Sequence, residues 1–416
     1  MARKTLPATG QDWDTLKATM DEMRQDDVDW RGGRAAVYVF YAGDDVLEVA
    51  REAYGMFMSE NGLGMARAFP SLRQMEDDLI AMALELLHGG EQAVGNLTSG
   101  GTESIFMAVK TARDWARAHR PGIDRPDIVL PYSAHPAFDK AAHYLNLHVR
   151  RIPVLADFRA DPQAMAAAVT SQTIMLVGSA PCFPYGVIDP IADLSILAQE
   201  RQLWLHVDAC VGGFLAPFVH QLGYPVPDFD FQLPGVYSMS ADLHKYGFTA
   251  KGASTVLYRD EELRQYQPFA CDVWPNGPMV TPTFAGTRPG GAIAAAWAVM
   301  HYLGVSGYQA KADTIIRTRQ AIAAGIADIE GLRVWGQPDL GIITYGSDSL
   351  DIFAVAGELR QAGWFIVQTQ HPKGIHMMLT PAHAPIVDDY LRDVQAAVNA
   401  VRQGTSTAPH VEVRYA

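Results

Sequence analysis

A lysine placed between a run of small residues and an apolar run is well placed for carbonyl chemistry. In Ser238-Met-Ser-Ala-Asp-Leu-His-Lys-Tyr-Gly-Phe-Thr-Ala-Lys-Gly-Ala-Ser254, Lys245 follows a strand end and precedes the β-branched run Ala253 to Tyr258. His244 and Tyr246 flank it, and Lys251 lies six residues on. Burial between two strands strips water from an amine, lowers its pKa and frees the neutral form to make a Schiff base. A solvated loop lysine is the plainer reading, and the His-Lys dipeptide alone does not decide between them.

Four other segments carry candidate chemistry. Ser99-Gly-Gly-Thr-Glu-Ser104 opens a helix with Ile105, Val109, Ala112 and Ala116 on one stripe. Gly100 and Gly101 allow close approach of an anion, Ser99 and Thr102 offer hydroxyls, and the helix N-terminus adds free N–H groups and a favourable dipole. This is a phosphate cradle or a plain capped turn; it is neither a P-loop nor a Gly-x-Gly-x-x-Gly fingerprint. Asp208 closes the buried-strand run from Leu203, where a carboxylate is costly unless a cation or donors satisfy it, though it could simply cap the next turn. A protonated pyridine nitrogen would satisfy it, and an acid there keeps the ring of pyridoxal phosphate an electron sink. His135, in Pro131-Tyr-Ser-Ala-His-Pro-Ala-Phe138, brings an imidazole to the same sheet edge, for stacking on a planar ring or as a structural histidine. Thr287 and Arg288, before Pro289-Gly-Gly291, form a second anion-friendly segment, with Arg288 equally readable as a surface or interface residue. A cradle, a stacking imidazole, a strand-end acid and a lysine 37 residues after that acid together make one cofactor site.

The elements that must position these residues are legible in the periodicity. Strands are expected at 127–130, 148–154, 174–178, 203–207, 235–240 and 254–258, with helices at about 103–119, 137–146, 162–169 and 190–201 between them. Such alternation predicts an α/β fold with a largely parallel sheet, whose ligands gather beyond the carboxyl ends of the strands. Ahead of it, a helix runs from Asp45 towards Asn61-Gly62, and Ser71-x-x-Gln74 reads as the capping box of another. Behind it, a long helix from Gly291, strands near 332–335, 341–345, 364–368 and 375–379, and helices near 351–362 and 384–402 predict a smaller C-terminal α/β unit. The expected division is an N-terminal arm and helix at 1–62, a large cofactor-binding domain at 63–290 and a small domain at 291–416. With 33 Lys and Arg against 46 Asp and Glu, the net charge of −13 opposes nucleic acid and anionic membrane surfaces. The three cysteines contain no Cys-x-x-Cys pair, which argues against a thiolate metal site and for a reducing compartment. No signal peptide or membrane anchor is expected, so the chain is read as cytoplasmic, with no bound metal.

Thr98-Ser-Gly-Gly-Thr-Glu-Ser-Ile105, Ser133-Ala-His135, Gly186-Val-Ile-Asp-Pro190, His206-Val-Asp-Ala-Cys-Val-Gly-Gly-Phe214, Ser240-Ala-Asp-Leu-His-Lys-Tyr-Gly247 and Ala285-Gly-Thr-Arg-Pro-Gly-Gly291 resemble the sphingosine-1-phosphate lyases, within the pyridoxal-phosphate-dependent decarboxylases of fold type I. The resemblance runs from about Trp30 to Arg402. It implies that Lys245 makes the Schiff base, Asp208 holds the pyridine nitrogen and His135 stacks on the ring. It implies further that Gly101, Thr102 and His244 bind the phosphate, helped by Thr287 from the second subunit of a homodimer. The expected reaction is cleavage of the C2–C3 bond of a phosphorylated 2-amino-3-hydroxy compound, giving an aldehyde and, from a sphingoid-base phosphate, phosphoethanolamine. An amino-acid decarboxylase is the alternative. Lys251, Tyr246 and His135 are unranked candidates to carry the proton. Departures from the family pattern bear on the substrate. Tyr185 stands in Phe183-Pro-Tyr-Gly186 where an imidazole is usual, Arg67 appears where a histidine is missing upstream, and Val39-Phe-Tyr41 follows Tyr38 as a short insertion. Tyr38, Tyr41, Arg67 and Tyr185 are therefore the expected substrate contacts, with Arg67 suited to clamp a phosphate or a carboxylate.

Overall fold

The computed structural model describes residues 4–406. An outlying helix α1 (Trp13–Met23), with no buried residue, precedes α2 (Asp44–Met56) and α3 (Pro70–Leu86). The alternating region then contributes β1 (Val94–Thr98), α4 (Gly101–His119), β2 (Asp127–Pro131), α5 (Ala137–Leu145), β3 (His148–Ile152), α6 (Pro162–Ala168), β4 (Thr173–Ser179), α7 (Ile191–Arg201), β5 (Trp204–Asp208), α8 (Ala216–Gln221), β6 (Val236–Ala241) and β7 (Ser254–Tyr258). These strands form one sheet in the order β1-β7-β6-β5-β4-β2-β3. Strand β7 is antiparallel to both its neighbours, and the other pairings are parallel. Every residue of β2, β4, β5 and β7 is buried. A sheet covered on both faces favours such largely apolar runs, with the polar residues mostly at the strand ends, which is why they stood out in the sequence.

Two local expectations give way. Strand β1 pairs with β7 from Val94↔Tyr258 to Thr98↔Ser254, although Gly95 and Asn96 are poor strand formers and hid it. The capping box at Ser71 does not form: α3 begins at Pro70, and its N-cap Phe69 makes no side-chain capping bond. Proline at a first helical position loses no bond it would have made, so the helix starts two residues earlier than that cap would place it.

A short helix α9 (Glu261–Arg264) and a hairpin of β8 (Phe269–Cys271) with β9 (Met279–Thr281) lead to α10 (Gly290–Asp328). The last is two helices joined at Gly304, whose φ of 53° and ψ of −175° interrupt the helical path. The C-terminal unit holds β10 (Arg333–Val334), β11 (Ile342–Gly346), α11 (Ile352–Gln361), β12 (Val367–Gln370), β13 (Lys373–Met378) and α12 (Val387–Arg402), with the sheet order β10-β11-β13-β12. The arm joins this unit. Ala36 N–H donates to Phe365 O at 2.9 Å, and Met378 N–H donates to Ala36 O at 2.7 Å. One apolar cluster runs continuously from Ala36 through the large sheet to Val398. Among the described residues, no helix is long and apolar enough to cross a membrane, and no group of His, Cys, Asp or Glu could hold a metal ion.

Candidate active site

The carboxyl ends of β1, β2, β4, β5 and β6 converge on a cavity of about 620 Å³. Its lining includes Ser99, Gly100, Gly101, Thr102, His135, Asp208, His244, Lys245 and Lys251, so the dispersed motifs meet in one place. At the cradle, Gly100 is the N-cap of α4 in an extended conformation, with no side-chain capping bond, which leaves the first N–H groups of the helix without a side-chain cap. A Cβ on Gly101 would lie 2.7 Å from Cys210 Sγ and 2.8 Å from Asp242 Oδ2; a side chain would fill the cradle.

Asp208, at the end of β5, accepts hydrogen bonds at Oδ1 from Cys210 N–H at 3.1 Å and Ser240 O–H at 3.2 Å. His135 accepts at Nδ1 from Ala137 N–H at 3.1 Å, which fixes that nitrogen as the unprotonated one. Burial depresses its pKa, although the Asp208 charge works the other way. His244 is similarly depressed by burial against the pull of Asp242, and its buried Nδ1 has no hydrogen-bond partner.

Lys245 lies 2.9 Å from Asp242 Oδ2. Burial penalises the charge of this lysine, but Asp242 outweighs it, with Cys210 and Asp208 adding to the effect, and the amine is held above its ordinary pKa. The expectation that desolvation would free a neutral Lys245 is thereby corrected. Asp242 is 1% exposed, and neither of its oxygens finds an aligned hydrogen bond despite the nearby ammonium. Lys251 behaves oppositely. It reaches water in the single chain, yet the protein packed around it and the Lys245 charge push its pKa down to about 8. Its Nζ donates to His244 O at 3.2 Å and sits 5.0 Å from the centre of the Phe40 ring.

Several expected residues lie elsewhere or act otherwise. Tyr246 is fully buried, its hydroxyl donates to Leu379 O at 2.8 Å, and it is absent from the cavity lining; the turn after Lys245 sends it into the core, so it is no proton carrier. The single O–H of Ser99 is committed to Glu103 Oε2 at 2.5 Å, leaving it no donor for a phosphate. Arg288 is a core residue, 5% exposed, whose Nη1 lies 2.8 Å from Glu76 Oε2 and 3.2 Å from Leu97 O; it offers no second anion site. Tyr38 and, in the insertion after it, Phe40 line the cavity, while Tyr41 of the insertion packs edge-on against Trp30 at 5.4 Å. Tyr185 donates to His371 O and borders an adjoining cavity of about 390 Å³ that shares His135 and Phe183 with the first. Arg67 and Thr287 are exposed, the latter accepting from Asn61 Nδ2 at 3.3 Å. Sequence reasoning missed Asp242, Cys210 and Phe40. The first sits within a quoted motif, but its effect depends on a distance that only the fold supplies.

An uncapped glycine cradle, a strand-end acid, an imidazole of fixed tautomer and buried polar atoms on Asp242 and His244 lacking aligned partners fit pyridoxal phosphate. Comparison with known proteins agrees. Residues 37–346 match the model of the pyridoxal-dependent decarboxylase conserved domain. The chain is 43% identical to the sphingosine-1-phosphate lyase of Oryza sativa subsp. japonica over 96% of its own length and 75% of that protein. A solved sphingosine-1-phosphate lyase of Burkholderia pseudomallei superposes with a TM-score of 0.92 at 39% identity, covering 97% of this chain and 94% of that one. Glutamate decarboxylase of Lactobacillus brevis, at 18% identity and a TM-score of 0.84, shares the fold. From the cradle to the lysine, the site is that of a pyridoxal-phosphate enzyme, and the chain belongs to the pyridoxal-dependent decarboxylase family, in its sphingosine-1-phosphate lyase branch.

Proposed function

We propose that this protein is an aldehyde-lyase that cleaves a phosphorylated sphingoid base between C2 and C3, giving a fatty aldehyde and phosphoethanolamine. Lys245 would hold the cofactor through its amine, Asp208 its ring nitrogen, His135 its ring, and Gly101, Thr102 and His244 its phosphate. Bound there, pyridoxal phosphate supplies an electron sink for the pair left at C2 when the bond breaks. The chain's own task is to take the proton from the 3-hydroxyl and return one to C2. Lys251 carries this reading. Its amine shares the cavity with Lys245 but is pushed down to about 8 by burial and the Lys245 charge, so roughly a tenth of it is neutral at about pH 7, far more than of an ordinary lysine, and able to act as base. His135 presents Nε2 as the protonated nitrogen and acts in orientation rather than as the base. Tyr38 and, from the insertion after it, Phe40 line the cavity, with Phe40 beside Lys251.

The dimer is part of the proposal. Thr287 stands on the surface of its own chain, as a residue given to a second subunit's phosphate site would. A reducing, cytoplasmic setting suits Cys182, Cys210 and Cys271, all free thiols. The test is product analysis with purified enzyme on sphingosine phosphate, shorter phosphorylated amino alcohols, and aromatic or acidic amino acids. An aldehyde with phosphoethanolamine from a phosphorylated amine is expected; carbon dioxide from an amino acid, with no aldehyde from any amine, would overturn the reading.

A further inference from the structure

Glu103, in the first turn of α4, is 8% exposed and accepts four hydrogen bonds from neutral donors. Oε2 receives Ser99 N–H at 2.7 Å and Ser99 O–H at 2.5 Å. Oε1 receives Phe284 N–H at 2.9 Å and Ala285 N–H at 3.2 Å. A buried carboxylate is costly to keep without a cation, and here two pairs of donors, from two separate segments, take that role. One segment is the entrance to the cradle. The other is the loop that runs through Thr287 to the buried Arg288–Glu76 pair. Phe284 strengthens the connection by packing edge-on against Phe106 of α4 at 5.0 Å, and Thr283 O–H closes the turn onto Ala285 O at 2.7 Å.

We propose that Glu103 is a positioning residue that sets two phosphate sites at once: the cradle of its own chain, through Ser99, and the site of the second subunit, through the loop that bears Thr287. The second half of this proposal rests on the dimer argued above. Loosening Glu103 weakens cofactor affinity in both subunits while leaving Lys245, Asp208 and Lys251 in place.

The substitution Glu103→Gln turns one oxygen into an amide donor that faces N–H groups, so only one end of the bracket survives; Glu103→Ala removes both ends. Titration of the cofactor-free protein with pyridoxal phosphate, followed by tryptophan fluorescence, should show a dissociation constant raised roughly ten- to a hundredfold for Glu103→Gln. At saturating cofactor, kcat should change less than fivefold. Thermal melting of the cofactor-free chains reports folding separately, and if the alanine variant does not fold, the glutamine variant carries the test. Dimers mixed from Glu103→Gln and Lys245→Ala chains then divide the role, because the active site keeps the altered cradle and receives an unaltered loop. The cofactor concentration for half-maximal activity should fall between those of the wild type and the Glu103→Gln homodimer. Wild-type cofactor affinity in a folded Glu103→Gln protein overturns the proposal. Full recovery in mixed dimers, no recovery, or a monomeric protein each overturns the double role. The binding readout needs no sphingoid substrate, so it stands or falls apart from the assigned reaction.

Discussion

Lys245 and Lys251 sit in one cavity with opposite leanings. Asp242, 2.9 Å from Lys245, keeps that amine charged in the chain itself, while Lys251 has no carboxylate at its tip and is pushed down to about 8. If Lys251 is the base, the active form is the neutral amine. Activity should therefore climb roughly tenfold per pH unit below about pH 8 and level off above it. Lys251→Met should abolish that limb and cut kcat by roughly a hundredfold or more; a pH–rate profile of both proteins decides, and an unchanged limb would assign it to another group. Asp208→Asn keeps the shape of the site but removes the charge, and a loss of about 3 kcal/mol or more in transition-state stabilisation is expected from the ratio of kcat/KM values. At this scale the sequence expected Lys245, Asp208, His135 and the cradle at one sheet edge, and the fold does gather them in one cavity; each falls at a strand end with a distinctive neighbour. It misread Tyr246 and the charge state of Lys245. Adjacency in the chain says nothing about which way a turn throws a side chain, and a pKa is set by through-space distance.

Helix α4 and its approach from β1 form the element that shapes the proposed phosphate cradle. Thr98, Ser104 and Ser254 link β1, α4 and β7 by hydroxyl contacts of 2.6 and 2.7 Å, and Gly101 lets the cradle pack against Asp242 and Cys210. Gly101→Ala should weaken pyridoxal phosphate binding by at least tenfold and also cost about 1–3 kcal/mol in cofactor-free stability, since the methyl meets the buried Cys210 and Asp242 side chains; equilibrium titration and melting of the cofactor-free protein measure the two effects. The Arg288–Glu76 pair plays a different part, holding the loop after β9 to α3 across the core. Breaking it with Arg288→Met strands a buried carboxylate and should cost about 3–5 kcal/mol in denaturant unfolding. Replacing both partners with apolar residues should recover much of that loss. The central strands β2, β4 and β5 were legible because burial on both faces makes them largely apolar, and the edge strand β3 because of its place in the alternation with helices. Strand β1 was not, because its stability comes from pairing with β7 rather than from its own residues.

At the scale of the whole molecule, four of the exposed apolar side chains lie on the Thr287 loop or close in the chain to the residues that bond it. Met56, Met58, Leu63 and Phe284 are 50–73% exposed, and Asn61 and Gly62 bond directly to Thr287 and Arg288. Such a patch on a protein of this size is expected to be covered, and the second subunit is the proposed cover. Sedimentation should find a dimer, and Thr287→Ala chains mixed with Lys245→Ala chains should regain activity that neither has alone. Arg288 is left intact in that experiment because its loss would destabilise the fold and confuse the readout. The expected division into an arm, a large and a small unit rests only on a change in periodicity. The continuous core and the docking of Ala36 on Phe365 and Met378 blur both boundaries, since contacts between distant segments leave no local signature. Helix α10 blurs them further. Before Gly304, Trp297 N–H donates to Asp78 of α3 at 2.9 Å and Tyr302 O–H to Asp45 of α2 at 3.1 Å; after it, Tyr308 stacks on Phe218 at 4.8 Å and Arg319 donates to Pro338 O. A backbone of φ 53° and ψ −175° is one that only glycine holds comfortably, and a methyl group there would meet no atom within 4 Å. Gly304→Ala is thus a purely torsional load, about 1–3 kcal/mol with no steric component. The angle between the two arms of this beam hangs on a single elbow, and a mutation that touches nothing can re-aim one end of the molecule against the other.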